Sequence, residues 1–370
     1  MTFSAAEVLP KLRRVASVVS PKNSIQILSD ICIIAKNNSL LLTASDGNIW
    51  LTERATLASV DSDMKFCVLS SDFLNVMNSL GNVNVTLELD EEKRKMTCTY
   101  GKGKFSMPYE SAEEYPHPHI QTEDAAEVIV SSTELSNGIR LCKIATANDI
   151  LHPQLGGVNF DFSEGNMVCT ATDMFMLTRY VGKGVATMNR DNVSFILPQK
   201  VMTVANAVMQ DEEVKVLITD SKLVIKSKDY ALTASLLEGV YPNCDKFTSL
   251  TSHFVGTINK DDLIRGLNRI MTMGDAKNTL VKMNVSQGEI NISTEDFEYS
   301  KSATETLECD LEATEFTICF KGTLLVELLK CIDDETVTFG LTSPRHPIII
   351  SGTNNIKKEN YFSLLMPVAL

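Results

Sequence analysis

The sequence repeats one order of structural elements three times, at intervals of about 125 residues. Each copy begins with an amphipathic helix, in which apolar residues recur at helical spacing and charged residues occupy the other face. These predicted first helices span residues 4–19, 131–146 and 259–273. A fixed period of this kind is the signature of a chain built from similar modules. The sequence therefore predicts three similar domains.

A strand that ends in a Thr/Ser-x-x-Asp corner follows each first helix. The corners end at Asp46, Asp173 and Asp296. A catalytic role for these carboxylates stays open at this point. However, three copies at one structural corner favour turn chemistry, in which an aspartate binds backbone amides close to itself.

The rest of each copy consists of a second helix, a hairpin and a closing strand. The second helices are predicted at 70–80, 198–209 and 321–332, with Pro198 as a first helical residue. The hairpins pair 85–89 with 95–100, 214–218 with 223–227, and 337–341 with 348–352, and the closing strands span 103–108, 230–235 and 361–367. The order predicts an α+β fold of three similar domains, 1–124, 125–250 and 251–370, each with two helices against antiparallel sheets.

Composition excludes several classes of protein. The hydrophobic fraction is 44%, and the longest apolar runs have the length of a strand, which argues against a membrane protein. The first residues carry no basic and apolar leader, so we expect a cytoplasmic protein. The nine cysteines and five histidines form no C-x-x-C pair or other ligand cluster. Reduced thiols are therefore expected, with no metal site and no cofactor.

The charge of the chain is divided between helices and the remainder. The net charge is −13, which taken alone argues against nucleic acid. The six predicted helices nevertheless carry about +5, so strands and loops carry about −18. If the helices share one surface, that surface is basic and suits sequence-independent contact with phosphates. Ordinary solvated helix faces remain the alternative explanation.

Helix dimensions limit how such a surface could enclose DNA. Packed helices lie about 8–10 Å apart, so six of them around a ring leave a hole too narrow for a duplex. Twelve helices give a ring about 38 Å across at the helix axes, with a clear bore of about 28 Å. A ring of this repeat therefore needs two chains.

Short segments in the second and third copies, and at the linkers, resemble the bacterial sliding clamps, the beta subunits of DNA polymerase III. The segments that carry the resemblance are Leu155-Gly156-Gly157-Val158, Ala171-Thr172-Asp173 with Leu177, Glu113-Glu114-Tyr115-Pro116, Glu238-Gly239-Val240-Tyr241-Pro242 and the end of the chain from Leu364 to Leu370. The resemblance covers essentially the whole length. It implies a head-to-tail homodimer that closes a six-domain ring around DNA, slides, and confers processivity on the replicative polymerase without catalysis.

The resemblance also implies three sets of site residues. The expected contacts to duplex DNA are Lys11, Arg13, Arg14, Lys22, Arg140, Lys143, Lys200, Arg265, Arg269 and Lys321. At the seam between the two chains, Phe105 and Met107 are expected to face Thr272 and Met273 of the other chain. A pocket for partner peptides is expected from Leu155, Thr172, Met174, Phe175, Met176, Leu177, Pro242, Lys246, Phe247, Leu364, Leu365, Met366, Pro367 and Val368.

The expected partners in that pocket are short linear motifs of the clamp loader, the replicative polymerase, repair polymerases, mismatch-repair proteins and ligase. This sequence departs from the family in the pocket. Met174-Phe175-Met176 stands where Gly-His-Arg is common, and Ala369 stands where an arginine is common. We therefore expect a more apolar and less basic pocket, although Lys246 keeps a basic position at its rim.

Two other function classes are alternatives to the clamp. An enzyme is disfavoured because the sequence contains no nucleophile elbow, P-loop, zinc-protease motif or Gly-rich dinucleotide turn. A β-rich scaffold that binds only proteins remains the alternative, and the basic helices argue against it.

Overall fold

The structure is a computed structural model that describes residues 1–118, 120, 123–210, 212–275, 279–353 and 360–368. The first repeat contains β1 (Thr2–Ser4), α1 (Ala5–Ala16), β2 (Asp30–Lys36), β3 (Ser39–Ser45), β4 (Ile49–Thr56), β5 (Met64–Leu69), α2 (Ser70–Ser79), β6 (Asn84–Asp90), β7 (Lys95–Tyr100), β8 (Gly103–Pro108) and β9 (Glu110–Ser111). The second contains β10 (Ala126–Ser131), α3 (Ser132–Cys142), β11 (Gly157–Ser163), β12 (Asn166–Thr172), β13 (Met176–Lys183), β14 (Ala186–Thr187), β15 (Asn192–Pro198), α4 (Gln199–Val208), β16 (Glu213–Ile218), β17 (Lys222–Lys226) and β18 (Tyr230–Ser235). The third contains β19 (Phe254–Asn259), α5 (Lys260–Met271), β20 (Leu280–Ser286), β21 (Glu289–Asp296), β22 (Lys301–Glu308), β23 (Asp310–Leu311), β24 (Phe316–Lys321), α6 (Gly322–Lys330), β25 (Thr336–Leu341), β26 (Ile348–Gly352) and β27 (Tyr361–Leu365).

The described residues form two compact units. One consists of Met1–Ser132, Ala186–Arg190 and Lys200–Leu236, and the other consists of Thr133–Val185, Asp191–Gln199 and Leu237–Leu370. The predicted domain boundaries near residues 124 and 250 stay a prediction. In the part of the chain that the structure describes, no helix is long and apolar enough to cross a membrane.

The first unit contains a ten-stranded and a four-stranded sheet. The larger sheet has the order β14-β10-β16-β17-β18-β4-β3-β2-β5-β9, and the smaller has the order β1-β6-β7-β8. Helix α1 packs against α2 and against strands β3 and β4. It buries Val8, Leu12 and Val15, whose spacing places them on one helix face. The amphipathic pattern of the sequence thus directs this helix onto the sheet.

The second unit has the same organisation. Its nine-stranded sheet has the order β15-β11-β12-β13-β27-β26-β25-β19-β23, and its four-stranded sheet has the order β22-β21-β20-β24. Helix α5 packs on β21, β22 and α6, and it buries Leu263, Leu267 and Ile270. The side chain of Asn259 accepts a hydrogen bond from the Asp262 amide at 3.0 Å and so caps the start of this helix.

All six predicted helices need small corrections at one or both ends, and two of these corrections have a clear cause. Pro198 is the last residue of β15, opposite Gly157, and not the first residue of a helix, because the chain stays in the strand register up to that point. The first helix ends at Ala16 instead of residue 19. Its predicted last turn tightens, since the amides of Val18 and Val19 bind carbonyls only three residues back.

Both large sheets run without interruption from one repeat into the next. In the first unit β4 pairs with β18, with Glu53 opposite Tyr230. In the second unit β13 pairs with β27, with Tyr180 opposite Tyr361. In each case the strand that follows an aspartate corner pairs with the closing strand of the next repeat. The strands therefore meet in the same way at both junctions, a continuity that the repeat pattern did not predict.

The two junctions also share one register. Tyr230 and Tyr361 are the first residues of their closing strands, and Glu53 and Tyr180 lie four residues beyond the first residue of β4 and β13, respectively. Just past the paired strands, the amide of Ser235 binds the carbonyl of Asn48 at 2.9 Å. The equivalent bond of the second junction joins the Met366 amide to the Phe175 carbonyl at 2.8 Å.

Candidate functional site

The three aspartate corners have the turn chemistry that the sequence predicted. In each corner one carboxylate oxygen, Oδ1, accepts two backbone amides from the residues that follow. The distances are 2.8 and 2.9 Å at Asp46, 2.7 and 2.9 Å at Asp173, and 3.0 and 3.1 Å at Asp296. These bonds occupy the carboxylates in holding the turns, and the structural interpretation of the three aspartates is confirmed.

The corner of the second repeat presents two large apolar side chains to solvent. Thr172 stabilises it, since its hydroxyl donates to the Met176 carbonyl at 2.7 Å and accepts the Met174 amide at 3.1 Å. The Thr172 amide in turn donates to the hydroxyl of Tyr241, whose pKa is raised by burial. Met174 consequently has a positive φ of 75° and an exposure of 68%, and Phe175 is 62% exposed.

An apolar cluster lies on the same unit, beside this corner. Leu177 and Leu364 face each other on β13 and β27, and Leu364 also lies opposite Ile349 on β26. The buried members of the cluster are Leu177, Ile349, Phe362 and Leu364, and the half-buried Cys244, Phe247 and Leu250 pack on them. The structure therefore brings three predicted pocket residues, Leu177, Phe247 and Leu364, into one cluster with a partly open side.

Four cluster members were missed by sequence reasoning. Ile349 lies within an apolar run that the sequence marked as a strand, and Phe362 lies on the predicted closing strand. Cys244 and Leu250 lie in the linker after β18, where no periodicity exists to assign a face. Only the pairing of β13, β27 and β26 shows which side chains of these segments share a surface.

Other predicted pocket residues lie elsewhere. Met176 and Leu365 are opposite each other and are buried, but they neighbour Leu177 and Leu364 in sequence and so face the other side of the sheet. Met176 and Leu365 therefore lie outside the cluster of Leu177 and Leu364, and their place in a peptide pocket stays a prediction. Leu155 is buried in a short 3₁₀ turn.

The chain leaves the pocket region through residues that stay at the surface. Met366 is 41% exposed and Val368 is 37% exposed, with the Val368 amide bound to the Cys319 carbonyl at 2.8 Å. Pro242 is exposed and Pro367 is half-buried. Ala369 lies outside the described residues.

Two lysines stand over aromatic rings at the rim of this region. The Nζ of Lys246 lies 5.1 Å from the ring centre of Phe247, and its predicted rim position stays a prediction. The Nζ of Lys321 lies 5.7 Å from the ring centre of Phe175. Lys321 was predicted to contact DNA, and the structure instead places it beside a predicted pocket residue. An ammonium over a ring face is an attractive arrangement that orients the aromatic side chain.

Most of the predicted DNA-contacting side chains already have partners within the chain. Five form ion pairs, which are Arg14 with Glu53, Arg140 with Asp333, Lys200 with Asp46, Arg265 with Asp262, and Arg269 with Glu305. Lys11 donates to the Arg54 carbonyl at 2.7 Å, and Arg13 donates to Asn78 at 2.9 Å. Lys22 is exposed and Lys143 is half-buried. The basic charge of the helices is thus partly neutralised locally.

The ion pairs shift the pKa values of their members. The side-chain hydrogen bond to Glu53, a residue only 2% exposed, raises the pKa of Arg14. Burial by itself would raise the pKa of Asp46, but hydrogen bonds from Lys200 and from two backbone amides hold it below its usual value. The hydrogen bond from Arg269 lowers the pKa of Glu305.

Two of the predicted seam residues, Phe105 and Met107, lie on an edge strand of a small sheet. Strand β8 pairs only with β7, and β22 pairs only with β21, so among the described strands each forms an edge. Phe105 is half-buried on β8, while Met107 is only 8% exposed. Thr272 and Met273 follow the end of α5, and Met273 is 46% exposed. Met107 thus packs mainly within its own chain.

Comparison with known proteins gives one family for all three repeats. Family models described as the N-terminal, central and C-terminal domains of the DNA polymerase III beta subunit match residues 1–120, 129–243 and 251–368. The chain belongs to the DNA polymerase III beta subunit family. The prediction that the chain has the clamp fold, with three similar α+β domains, is confirmed.

Relatives of the chain match almost its whole length. The beta sliding clamp of Bacillus subtilis is 23% identical, with 99% of this chain and 98% of that protein covered. The beta sliding clamp of Streptococcus pneumoniae is 26% identical, with 97% and 96% covered. Among solved structures, the Pseudomonas aeruginosa beta subunit has a TM-score of 0.91 at 18% identity, with both chains fully covered. A Pseudomonas aeruginosa clamp bound to griselimycin has a TM-score of 0.92 at 19% identity, with 100% and 99% covered.

Proposed function

We propose that this protein is a DNA sliding clamp that closes around duplex DNA as a head-to-tail dimer and holds the replicative polymerase on it. The observation that carries this proposal is the match of all three repeats to beta-subunit domains, together with full-length relatives described as sliding clamps. The chain would act without catalysis and without a cofactor, in the cytoplasm at the nucleoid. Retention would come from topological linkage and loose phosphate contacts, not from base readout.

The shared register of the two junctions supports the dimer. Each junction pairs the strand after a corner with the closing strand of the following repeat. The third such strand is β22 and the remaining closing strand is β8, and both are free edges among the described strands. The same register places Gly103 of one chain opposite Glu305 of another, and Phe105 opposite Ala303. Two chains joined twice in this way close a ring of six domains.

The side-chain pattern of the two edges agrees with that register. On β8, Phe105 and Met107 face inward and Lys104 is exposed. On β22, Ala303 and Leu307 face inward and Thr304 is exposed. Pairing Phe105 with Ala303 puts inward side chains together, and pairing Lys104 with Thr304 puts exposed side chains together. A slip of one residue would bring each inward side chain against an exposed one.

The basic helix residues support contact with DNA. Their ion pairs with carboxylates of the chain would keep that contact weak. Arg13 and Lys22 lie at the surface without a carboxylate partner among the described residues, and the five paired residues would share their charge between protein and phosphate. Contact of that kind is weak and independent of sequence, which suits a ring that slides.

The apolar cluster on the second unit supports the binding of short partner peptides. Phe247 and Leu250 cover buried leucines from one side, and Phe175 and Met366 stay exposed nearby in the chain. Aromatic and aliphatic anchors of a linear motif suit such a surface. The clamp loader, the replicative polymerase, and repair and ligase proteins are the partners that we propose for it.

The decisive experiment compares retention on closed and open DNA. The protein is loaded on a nicked circular plasmid by a bacterial clamp loader, and half of the sample is cut with a restriction enzyme. We expect the protein to stay on the circle and to leave the linear form. Equal retention on both forms would favour a simple DNA binder, and no retention on either would favour a scaffold that binds only proteins.

Cross-linking tests the seam directly. In Lys104→Cys/Thr304→Cys, the two new thiols lie directly opposite in the proposed register, so oxidation is expected to link two chains covalently. Lys104→Cys/Ser302→Cys is the matched control, since its thiols share the same face but lie about 7 Å apart, too far for a disulfide. Cross-linking of the control alone, or of neither, would contradict the register.

A further inference from the structure

The corner of the third repeat differs from the other two. Two residues, Gly47-Asn48 and Met174-Phe175, separate the aspartate from the next strand in the first and second corners, whereas residues 297–300 do so in the third. This longer corner exposes two aromatic side chains, Phe297 at 85% and Tyr299 at 66%. Lys301 lies over the ring of Tyr299 at 5.2 Å.

The first two corners contact the same two places in the repeat that follows. One place is the residue just after the paired part of the closing strand, whose amide donates to a corner carbonyl, from Ser235 to Asn48 and from Met366 to Phe175. The other is the start of the second helix. There Lys200 pairs with Asp46 at 2.5 Å, and Lys321 lies over the ring of Phe175.

The third corner lacks a following repeat in its own chain, so its counterparts lie in a second copy. The register of the two junctions makes Pro108 equivalent to Ser235 and Met366. Proline has no amide hydrogen, so this backbone bond is missing at the seam. The residue before the second helix is Leu69, which stands where the third repeat has Lys321. Leu69 is 42% exposed, an unusual state for a leucine at the end of a strand.

We propose that Phe297 packs on Leu69 of a second copy of this chain. The seam between chains would then have an apolar contact at this position. The two junctions within the chain have there a backbone hydrogen bond and a lysine that binds the corner. This inference rests on the proposed function, because it uses the register that the ring requires. The two additional residues of this corner allow Phe297 to extend as far as Leu69 of the other copy. Tyr299, whose ring lies under Lys301, would lie beside the contact.

The physical consequence concerns opening of the ring. At this point of the seam, separation of the chains breaks no backbone hydrogen bond and no ion pair, whereas separation at either junction within the chain breaks both a backbone bond and a lysine contact. An apolar contact is also little affected by salt, which screens charge pairs. This point of the seam therefore resists separation through apolar packing alone.

A double-mutant cycle tests the contact. Phe297→Ala and Leu69→Ala are each expected to raise the dimer dissociation constant about fivefold to tenfold, as loss of a buried apolar contact does. The double variant is expected to raise it by clearly less than the product of the two. The dissociation constant is measured by analytical ultracentrifugation at several concentrations. The control is Val240→Ala, whose side chain is 89% exposed in the linker after β18, outside both proposed edge strands, and no change is expected for it.

Two outcomes would overturn the inference. Unchanged dissociation in Phe297→Ala would remove this residue from the seam, and fully multiplicative effects would show that Phe297 and Leu69 do not touch. The thiol pair at positions 104 and 304 separates these outcomes from failure of the dimer. If that pair cross-links in the Phe297→Ala background while dissociation is unchanged, the ring stands and only the corner contact is wrong.

Discussion

The guanidinium of Arg140 binds both Cys331 and Asp333, from the second repeat to the third. One nitrogen donates to the Cys331 carbonyl at 2.8 Å, and the other donates to the Asp333 carboxylate at 2.6 Å. Arg140 was predicted to contact DNA. In the structure its guanidinium instead connects α3 to the residues that follow α6. Asp333 is 82% exposed at its side chain, so the bond to the carbonyl is the better shielded of the two.

Arg140→Ala should therefore cost more stability than Asp333→Ala. We expect a loss of about 1–2 kcal/mol in the free energy of unfolding for Arg140→Ala, because the Cys331 carbonyl loses its donor. Asp333→Ala should cost less than about 0.5 kcal/mol, since it removes only an exposed charge pair. Urea unfolding followed by circular dichroism measures both. Lys330→Ala, an exposed change on α6, serves as the control, and equal losses for Arg140→Ala and Asp333→Ala would contradict the ranking.

Asp46→Asn should strengthen retention on DNA. The amide oxygen of asparagine can still accept the two turn amides at Oδ1, but the ion pair of the other oxygen with Lys200 is lost. Lys200 then keeps its full charge for phosphate. We expect the dependence of log K on log salt to steepen by up to about 0.9.

The measurement is retention of the clamp on circular DNA across a salt series. Asp220→Asn is the control, because it changes the net charge equally at an exposed turn that lacks an ion pair among the described contacts. An equal effect of both variants would mean that total charge, and not release of Lys200, governs retention.

Met174→Gly should raise stability and lower affinity for apolar peptides. Met174 has a φ of 75°, a conformation that glycine adopts freely and that costs other residues about 1 kcal/mol or more. The gain is partly offset by the larger unfolded-state entropy of glycine, so we expect about 0.5 kcal/mol. Affinity should fall because an exposed apolar side chain beside Phe175 is removed.

Thermal unfolding and fluorescence anisotropy of a labelled clamp-binding peptide measure these two effects. Met188→Gly is the control, since Met188 is similarly exposed at 60% but has no positive φ. That variant should lose stability and leave peptide affinity unchanged. A loss of stability in Met174→Gly would show that the methionine is not strained in this corner.

Much of the fold could be predicted because its elements are encoded locally. Apolar residues at helical spacing predicted all six helices to within a few residues. Alternation of apolar and polar residues predicted the hairpins, such as the one formed by 85–89 and 95–100. The corner chemistry was predictable for the same reason, because Asp173 binds amides only two and three residues away.

The contacts between distant segments could not be predicted from these patterns. Arg14 and Glu53 are 39 residues apart, and nothing in a helix pattern selects that carboxylate among the 47 acidic residues. Likewise, alternation shows that Leu364 and Leu365 face opposite sides, but only the pairing of β27 between β13 and β26 shows which side carries the cluster. The predicted pocket, which came from the family resemblance, included both residues.

Asp30→Asn should stabilise the protein at neutral pH and not at acidic pH. Asp30 is 9% exposed at the start of β2, and burial, with a further contribution from the charge of Glu110, raises its pKa to about 6. Its pKa in the unfolded chain is about 3.9. The folded state therefore binds the proton more tightly, so this group's stabilising contribution is complete below about pH 4 and is lost as the pH rises through about 6.

At pH 7.5 the wild-type chain has to hold an ionised, poorly solvated carboxylate, which asparagine avoids at almost the same size. After allowance for solvent screening, we expect Asp30→Asn to gain about 1 kcal/mol in the free energy of unfolding at pH 7.5 and almost nothing at pH 4. Urea unfolding at intervals between these values measures the difference. Asp63→Asn, which also removes one carboxylate, here an exposed one, is the matched control for the change in net charge. A gain that persists at pH 4 would mean that packing, and not ionisation of Asp30, explains the effect.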